Sequence, residues 1–496
     1  MRLPPLRPAA IAALAAIAAV LAPGAVRAQP LWLEREPQVW SPTDTSLVIG
    51  FRGNRDAVGS VEWGPTPALG HVIQGPKTRN HFLRIAGLDP DRFYWYRVRV
   101  GGAPWTRVYR TRTFPRDGAD VSFFVFGDSG AFTPMQFAVR DLVAGYTFDL
   151  GLLPGDIVYP DGAREHFNWR FFWPYAPILR TTPFFPVVGN HDMQTGAGAA
   201  FYRYFWLPTR SSGTERYYSF DHGAVHFVGL DSEGSSLDAQ AAWLRRDVAR
   251  ARARGARWVF VYHHRPAYSS GQHGRSRSIH AAWSRLFEEL EIDAVFTGHD
   301  HDYQRSKTVR DFFPAKRGVV YFVVGSGGQF PRPIGPRQAY TAFAAATNGF
   351  LRVEVHGDVM RAEFIDASMP RRGKVIDRVV LAKGPVTAAL RQTTPHPAPG
   401  QSLGFALDGP SGATYGVLLS DRPAHVPLGA LGTVHLDPAR AVLARAGRLS
   451  GSRTVRLSLS IPNDASLRGT DLLLQGYLAA GAGRLRLTDV LVSAVR

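Results

Sequence analysis

Apolar and polar positions alternate in short bursts over residues 30–116. The runs SLVIGF, GSVEWG, HFLRIAGL, FYWYRVRV and VYRTRTF are rich in β-branched and aromatic side chains, and Gly, Pro and Asp separate them. That pattern predicts short strands and an all-β unit, a β-sandwich. Over residues 119–384 the pattern changes. Unbroken apolar stretches, VSFFVFGD, LGLLPGD, FFPVVGN, AVHFVGLD, WVFVYHH, DAVFTGH and VVYFVVGSGG, alternate with helical segments. In SLDAQAAWLRRDVARARARG, Leu237, Ala241, Leu244 and Val248 recur at helical spacing and Gly255 supplies a stop. Strands that are apolar on both faces must be covered on both, so this stretch predicts a layered α/β domain. Its end, residues 349–382, reads as an antiparallel meander. Pro, Gly and Thr then mark a linker at 385–400. Residues 401–496 return to short strands and turns and predict a second β-sandwich, of a role the pattern does not name.

The first residues stand apart from this plan. Arg2 and Arg7 precede an apolar run, Ala9 to Ala22, and the small-residue site Val26-Arg27-Ala28 follows. This predicts a secretory signal peptide at 1–28, cleaved after Ala28, and a secreted or periplasmic protein. The run is short for a span of about 20 residues, and no other stretch is apolar enough to cross a membrane. No twin-arginine pair precedes it, which points to general secretion. The sequence has no cysteine. Cores, not disulfides, must then hold an exported chain, and any metal must take O and N ligands. The formal charge is +18 and mostly arginine. The arginines are scattered, and no aromatic–basic motif or zinc-finger spacing points to nucleic acid.

The apolar strands of the middle region end in polar residues: Gly127-Asp128, Gly155-Asp156 with Tyr159 close behind, Gly189-Asn190-His191-Asp192, His263-His264, and Gly298-His299-Asp300-His301. In α/β folds, sites form beyond the carboxyl ends of strands, and a preceding Gly lets the backbone turn and clears the pocket. Each signal alone is weak. The set, in one order and always after a strand, directs O and N donors to one crevice. Many two-metal phosphoesterases open their site with Asp-x-His. Here Gly130 takes the place of that histidine.

GDSG, GDIVY, GNHD, VYHH and GHDH resemble the five motifs of the purple acid phosphatases, a branch of the binuclear metallophosphoesterases. The similarity covers residues 30–384. It includes LDPDRFYWYRV, which resembles the Leu-x-Pro-x-x-x-Tyr turn of fibronectin type III domains, where the tyrosine, Tyr94 here, closes the corner between sheets. The resemblance implies an α/β/β/α metallophosphoesterase sandwich between the β domains. It implies ferric iron on Asp128, Tyr159 and His301, a divalent ion (Fe, Zn or Mn) on Asn190, His264 and His299, and Asp156 bridging them. His263 precedes the ligand position that the resemblance gives to His264. His191 would protonate the leaving oxygen, Asp192 would orient or charge-tune His191, and His273 would contact phosphate. Two carboxylates and a tyrosinate leave an excess of positive charge on such a pair, which favours hydroxide and an anionic phosphate ester. Hard oxygen ligands suit ferric iron, and imidazoles suit the divalent ion. The implied activity is acid phosphatase, by attack of a metal-bound hydroxide on a monoester. Alternatives are a phosphodiesterase with the same ligands, or a surface-binding protein with a vestigial site.

Overall fold

The computed structural model describes residues 30–383, apart from 119, 311 and 316, and within 389–494 the strands and parts of their turns. The signal peptide read at 1–28 lies outside the described residues. No helix among the described residues is long and apolar enough to cross a membrane.

The first unit holds β1 (Leu33–Trp40), β2 (Ser46–Gly64), β3 (His71–Ala86), β4 (Phe93–Val100) and β5 (Tyr109–Arg112). The front half of the long β2 pairs with β1 and its back half with β4, while β3 follows it throughout. One connected sheet thus bends around a core of Ile49, Val61, Leu83, Tyr96 and Val98. Burial alternates along β4, with Tyr94, Tyr96, Val98 and Val100 facing in, as a half-buried strand requires. The Tyr94 hydroxyl accepts the Asp89 N–H at 2.8 Å, a structural corner contact.

The middle region runs β6 (Val121–Val125), α1 (Pro134–Val143), β7 (Leu150–Pro154), α2 (Trp173–Leu179), β8 (Phe184–Val187), β9 (Tyr218–His222), β10 (Val225–Gly229), α3 (Leu237–Ala253) and β11 (Trp258–Tyr262). It continues with β12 (Ala294–Thr297), β13 (Tyr303–Arg310), β14 (Phe313–Pro314), β15 (Val319–Val324), β16 (Thr341–Ala345), β17 (Gly349–His356), β18 (Val359–Asp366) and β19 (Val375–Ala382). These strands form two sheets. One has the order β19-β18-β17-β6-β7-β8, and the other β14-β13-β15-β12-β11-β10-β9 with β16 beside β13. Within them β6, β7 and β8 are parallel, as are β10, β11, β12 and β15. The expected meander is β17–β18–β19, antiparallel throughout.

The sheets face each other. Phe123 of the first meets Phe227 and Phe296 of the second edge-on, at 5.2 and 5.9 Å between ring centroids. On the outer face of the second sheet, Leu244 and Val248 of α3 pack with Val259, Val261, Trp283 and Phe287. The unbroken apolar strands are thus buried by a sheet on one side and helices on the other. α3 begins where Ser236 accepts the Ala239 N–H at 3.2 Å, an N-cap, and Gly255, at φ 95°, follows its end.

The C-terminal region is strand-rich. A three-stranded sheet and a four-stranded sheet contribute to a core of Leu403, Phe405, Tyr415, Val417 and Leu474. The stretch read as linker differs from that expectation. Its Ala389–Gln392 is a strand paired with Ser402–Asp408. Four residues are too few to show alternation against the Pro-rich signal that follows.

Candidate metal centre

Five strands from the two sheets end at one crevice. β6, β7 and β8 deliver Asp128, Asp156 and Asn190 from the first sheet, and β11 and β12 deliver His264 and His299 from the second. The sharp turns are made mostly by the polar residues themselves. Asp128, Asp156 and His299 sit at φ 55°, 50° and 72°, a left-handed region that side chains enter at a cost of about 1–3 kcal/mol each. Among the glycines before them only Gly155 has positive φ. Gly298 serves by clearance, because a Cβ there would lie 2.3 Å from Asp128 Oδ2.

The side chains converge. Tyr159 Oη stands 3.2 Å from Asp128 Oδ1, 3.0 Å from Asp156 Oδ2 and 3.1 Å from His301 Nε2. His301 Nε2 is 3.5 Å from Asp128 Oδ1. His264 Nε2 lies 3.4 Å from Asp156 Oδ2, 3.1 Å from Asn190 Oδ1 and 3.2 Å from His299 Nδ1. Asp128, Asp156 and His264 form a buried trio whose ligand atoms all lie within 4.8 Å of one another. The cluster therefore has an oxygen-rich half around Tyr159 and a nitrogen-rich half around His264.

The two adjacent histidines have different surroundings. His263 is fully buried against Trp283 and Phe287, with neither ring nitrogen hydrogen-bonded, and burial pushes it down to about 3. His264 Nδ1 donates to the Pro154 carbonyl at 2.9 Å. That bond fixes the tautomer and turns the Nε2 lone pair toward the Asp156 and Asn190 oxygens.

This donor set fits metal ions. Acceptors face acceptors, and among the described residues the only charged groups paired with Asp128 and Asp156 are histidines. Burial, with Asp156 beside it, pushes the Asp128 carboxyl well above its ordinary range. Burial and both carboxylates likewise drive the Tyr159 phenol upward. Burial would lower His264, but Asp156 outweighs it and raises this imidazole to about 10. A cation in the cluster reverses each of these tendencies.

His191, at the rim, donates from Nδ1 to the Pro160 carbonyl and brings Nε2 to 4.0 Å from Asp156 Oδ2. Asp192 lies elsewhere than expected. Its carboxylate does not meet His191. It accepts the Ile157 N–H at 3.0 Å, the Val158 N–H at 3.0 Å and the Gly189 N–H at 2.9 Å, clamping the loops that carry Asp156, Tyr159 and Asn190. His273 is exposed and stacks on His299, with centroids 4.4 Å apart. Two arginines absent from the sequence reading stand here. Arg265 Nη1 is 3.2 Å from His299 Nε2 and its Nε bonds Glu233 at 2.9 Å. Arg332 Nη1 donates to His273 Nε2. Only their positions beside His264 and in the loop after β15 hinted at them.

The family model of calcineurin-like phosphoesterases matches residues 121–303, and that of iron/zinc purple acid phosphatase-like protein C matches residues 318–378. Over residues 121–378 the chain is thus similar to the purple acid phosphatases. Among curated relatives, purple acid phosphatase 21 of Arabidopsis thaliana is 29% identical over 296 residues, 56% of this chain and 66% of that protein. Purple acid phosphatase 22 of the same plant is 30% identical over 261 residues, 50% of this chain and 58% of that protein. The chain thus spans under two-thirds of the length of either. The purple acid phosphatase PPD1 from yellow lupin (Lupinus luteus) seeds shares the fold, with a TM-score of 0.61 at 19% identity, over 70% of this chain and 74% of that one.

Proposed function

We propose that this protein hydrolyses phosphate monoesters at a centre of ferric iron and a divalent ion, Fe, Zn or Mn. Asp128, Tyr159 and His301 would hold the ferric ion, Asn190, His264 and His299 the divalent ion, and Asp156 both. The observation that carries this reading is the buried cluster of facing acceptors, with Tyr159 Oη 3.0–3.2 Å from both carboxylates and His301. Bound there, such ions supply Lewis acidity toward phosphoryl oxygens and lower the pKa of water. His191 keeps Nε2 toward the centre because Pro160 holds Nδ1, which suits it to give a proton to the leaving oxygen. Asp192 keeps the ligand loops in register. The same reading takes 1–28 as an export signal, 30–116 as a fibronectin type III-like accessory domain and 119–384 as the catalytic domain.

The test is optical and kinetic. Iron-loaded protein is expected to show a broad visible tyrosinate-to-ferric charge-transfer band, absent in Tyr159→Phe. An active, iron-containing but colourless enzyme would contradict this ligand set. Rates on an aryl phosphate are expected to exceed those on a bis-aryl phosphate. The reverse order would make the protein a phosphodiesterase.

A further inference from the structure

The loop after β15, residues 326–333, is fixed to the centre by its backbone. Gly327 N donates to Gly127 O, Gln329 N to Asp128 O and Arg332 N to His301 O, each at 2.9 Å. Asn348 Nδ2 donates to Gln329 O at 2.8 Å, and Thr133 Oγ1 donates to Gly328 O. Whatever this loop presents is held in place relative to Asp128 and His301. It presents Arg332, half-buried at the rim. One N–H of that guanidinium goes to His273 Nε2, and the His273 ring lies on His299. Among the described residues no carboxylate pairs with Arg332, whereas Arg265 is bonded to Glu233. A guanidinium carries five N–H donors, so Arg332 retains both charge and donors for an anion beside the cluster.

Resting on the reading above, we infer that Arg332 is a substrate-binding residue that takes a terminal oxygen of the phosphate and selects monoesters. A monoester near neutral pH carries about two negative charges. A diester carries one and has a bulky ester group where the monoester has a free oxygen. A fixed, unneutralised guanidinium therefore discriminates in favour of the monoester.

The experiment compares metal-loaded wild type, Arg332→Gln and Arg332→Lys. Arg332→Gln is expected to lower kcat/KM for an aryl phosphate by about 10- to 100-fold and for a bis-aryl phosphate by about threefold or less. Calorimetric titration with inorganic phosphate should show a matching loss of affinity, part of it restored in Arg332→Lys, with metal content unchanged. Equal losses on both esters, unaltered phosphate affinity, or loss of metal from the variant would each overturn the inference, the last by showing that the loop only supports His301. A parent enzyme that cleaves neither ester defeats the proposed function, while the phosphate titration still decides the role of Arg332.

Discussion

A methyl group on Gly130 would stand 1.8 Å from the Ile157 carbonyl oxygen and 2.9 Å from Val158 Cα. The room a side chain would need is filled by the backbone leading to Tyr159, whose N–H donates to Gly130 O at 3.0 Å. Having no side chain at 130 and a phenol at 159 are thus one geometric arrangement. Gly130→Ala must push that loop away. The expected cost is about 1–3 kcal/mol, read by urea unfolding, together with loss of the visible band in protein that remains folded. Asp192 yields a second prediction at this scale. Its carboxylate serves three backbone N–H groups and does not touch His191. Asp192→Asn should lower stability by about 1–3 kcal/mol and weaken metal retention, yet leave the shape of the pH–rate profile unchanged. A shifted limb of that profile would instead mean that Asp192 tunes His191. The motif letters revealed these residues as a group but not this division of labour, because adjacency of Asp192 to His191 says nothing about where a side chain turns.

His226 links three elements. It sits on β10 between Asp221 of β9, 2.5 Å from Nδ1, and Asp247 of α3, 3.1 Å from Nε2. Burial alone would lower its pKa, but the two carboxylates outweigh burial and raise it. A histidine raised in the folded state contributes fully below its unfolded value of about 6.5 and loses that contribution as pH rises through the folded value. Asp221 moves the other way. Burial opposes it, but His226 and Arg254 lower it, so its contribution is present above about pH 4 and fades as pH falls through its folded value. The trio should therefore stabilise most between about pH 4 and 6.5. His226→Ala leaves Asp247 buried without its partner and is expected to cost about 3–5 kcal/mol at pH 6, with the gap to wild type narrowing as pH rises toward 9. Melting temperatures across that range check both size and direction. Helix α3 was legible from the spacing of Leu237, Ala241, Leu244 and Val248. The trio was not, since its members lie on separate elements and each looks like an ordinary surface polar residue. Arg265 and Arg332 are illegible in the sequence for the same reason.

Over the whole molecule, the first β unit is joined to the middle domain by buried polar contacts. Arg35 of β1 is 4% exposed, lies over the rings of Phe172 and Tyr204 at 3.5 and 4.3 Å, and donates to Asn168 Oδ1 at 3.0 and 2.6 Å. Burial, with Arg52 nearby, pushes this guanidinium down to about 9. Around it Trp173 Nε1 donates to Glu34 O at 3.1 Å, Tyr96 Oη to Arg180 O at 2.6 Å, and Trp40 meets Phe205 edge-on at 5.3 Å. This joint was not legible from pattern alone, because charged residues in a strand such as LEREPQVW ordinarily face solvent. Alternation marks which face of a strand is apolar, not which polar residue a second domain will cover. The segment that receives Arg35 also reaches the centre. Arg170 Nη1 donates to Ala131 O at 3.1 Å, and Gln136 Nε2 donates to Arg170 O at 2.7 Å, so residues 168–172 join the first unit to the loop that follows Asp128. Arg35→Ala removes the ring contacts and both hydrogen bonds and opens a cavity, at an expected cost of about 2–4 kcal/mol. Because the contacts cross between units, wild type should melt the first unit and the middle domain in a single calorimetric transition, and Arg35→Ala should lower that transition as a whole. Two resolved transitions in wild type, or a shift confined to one of them in the variant, would show that the β unit is attached to the middle domain without sharing its stability.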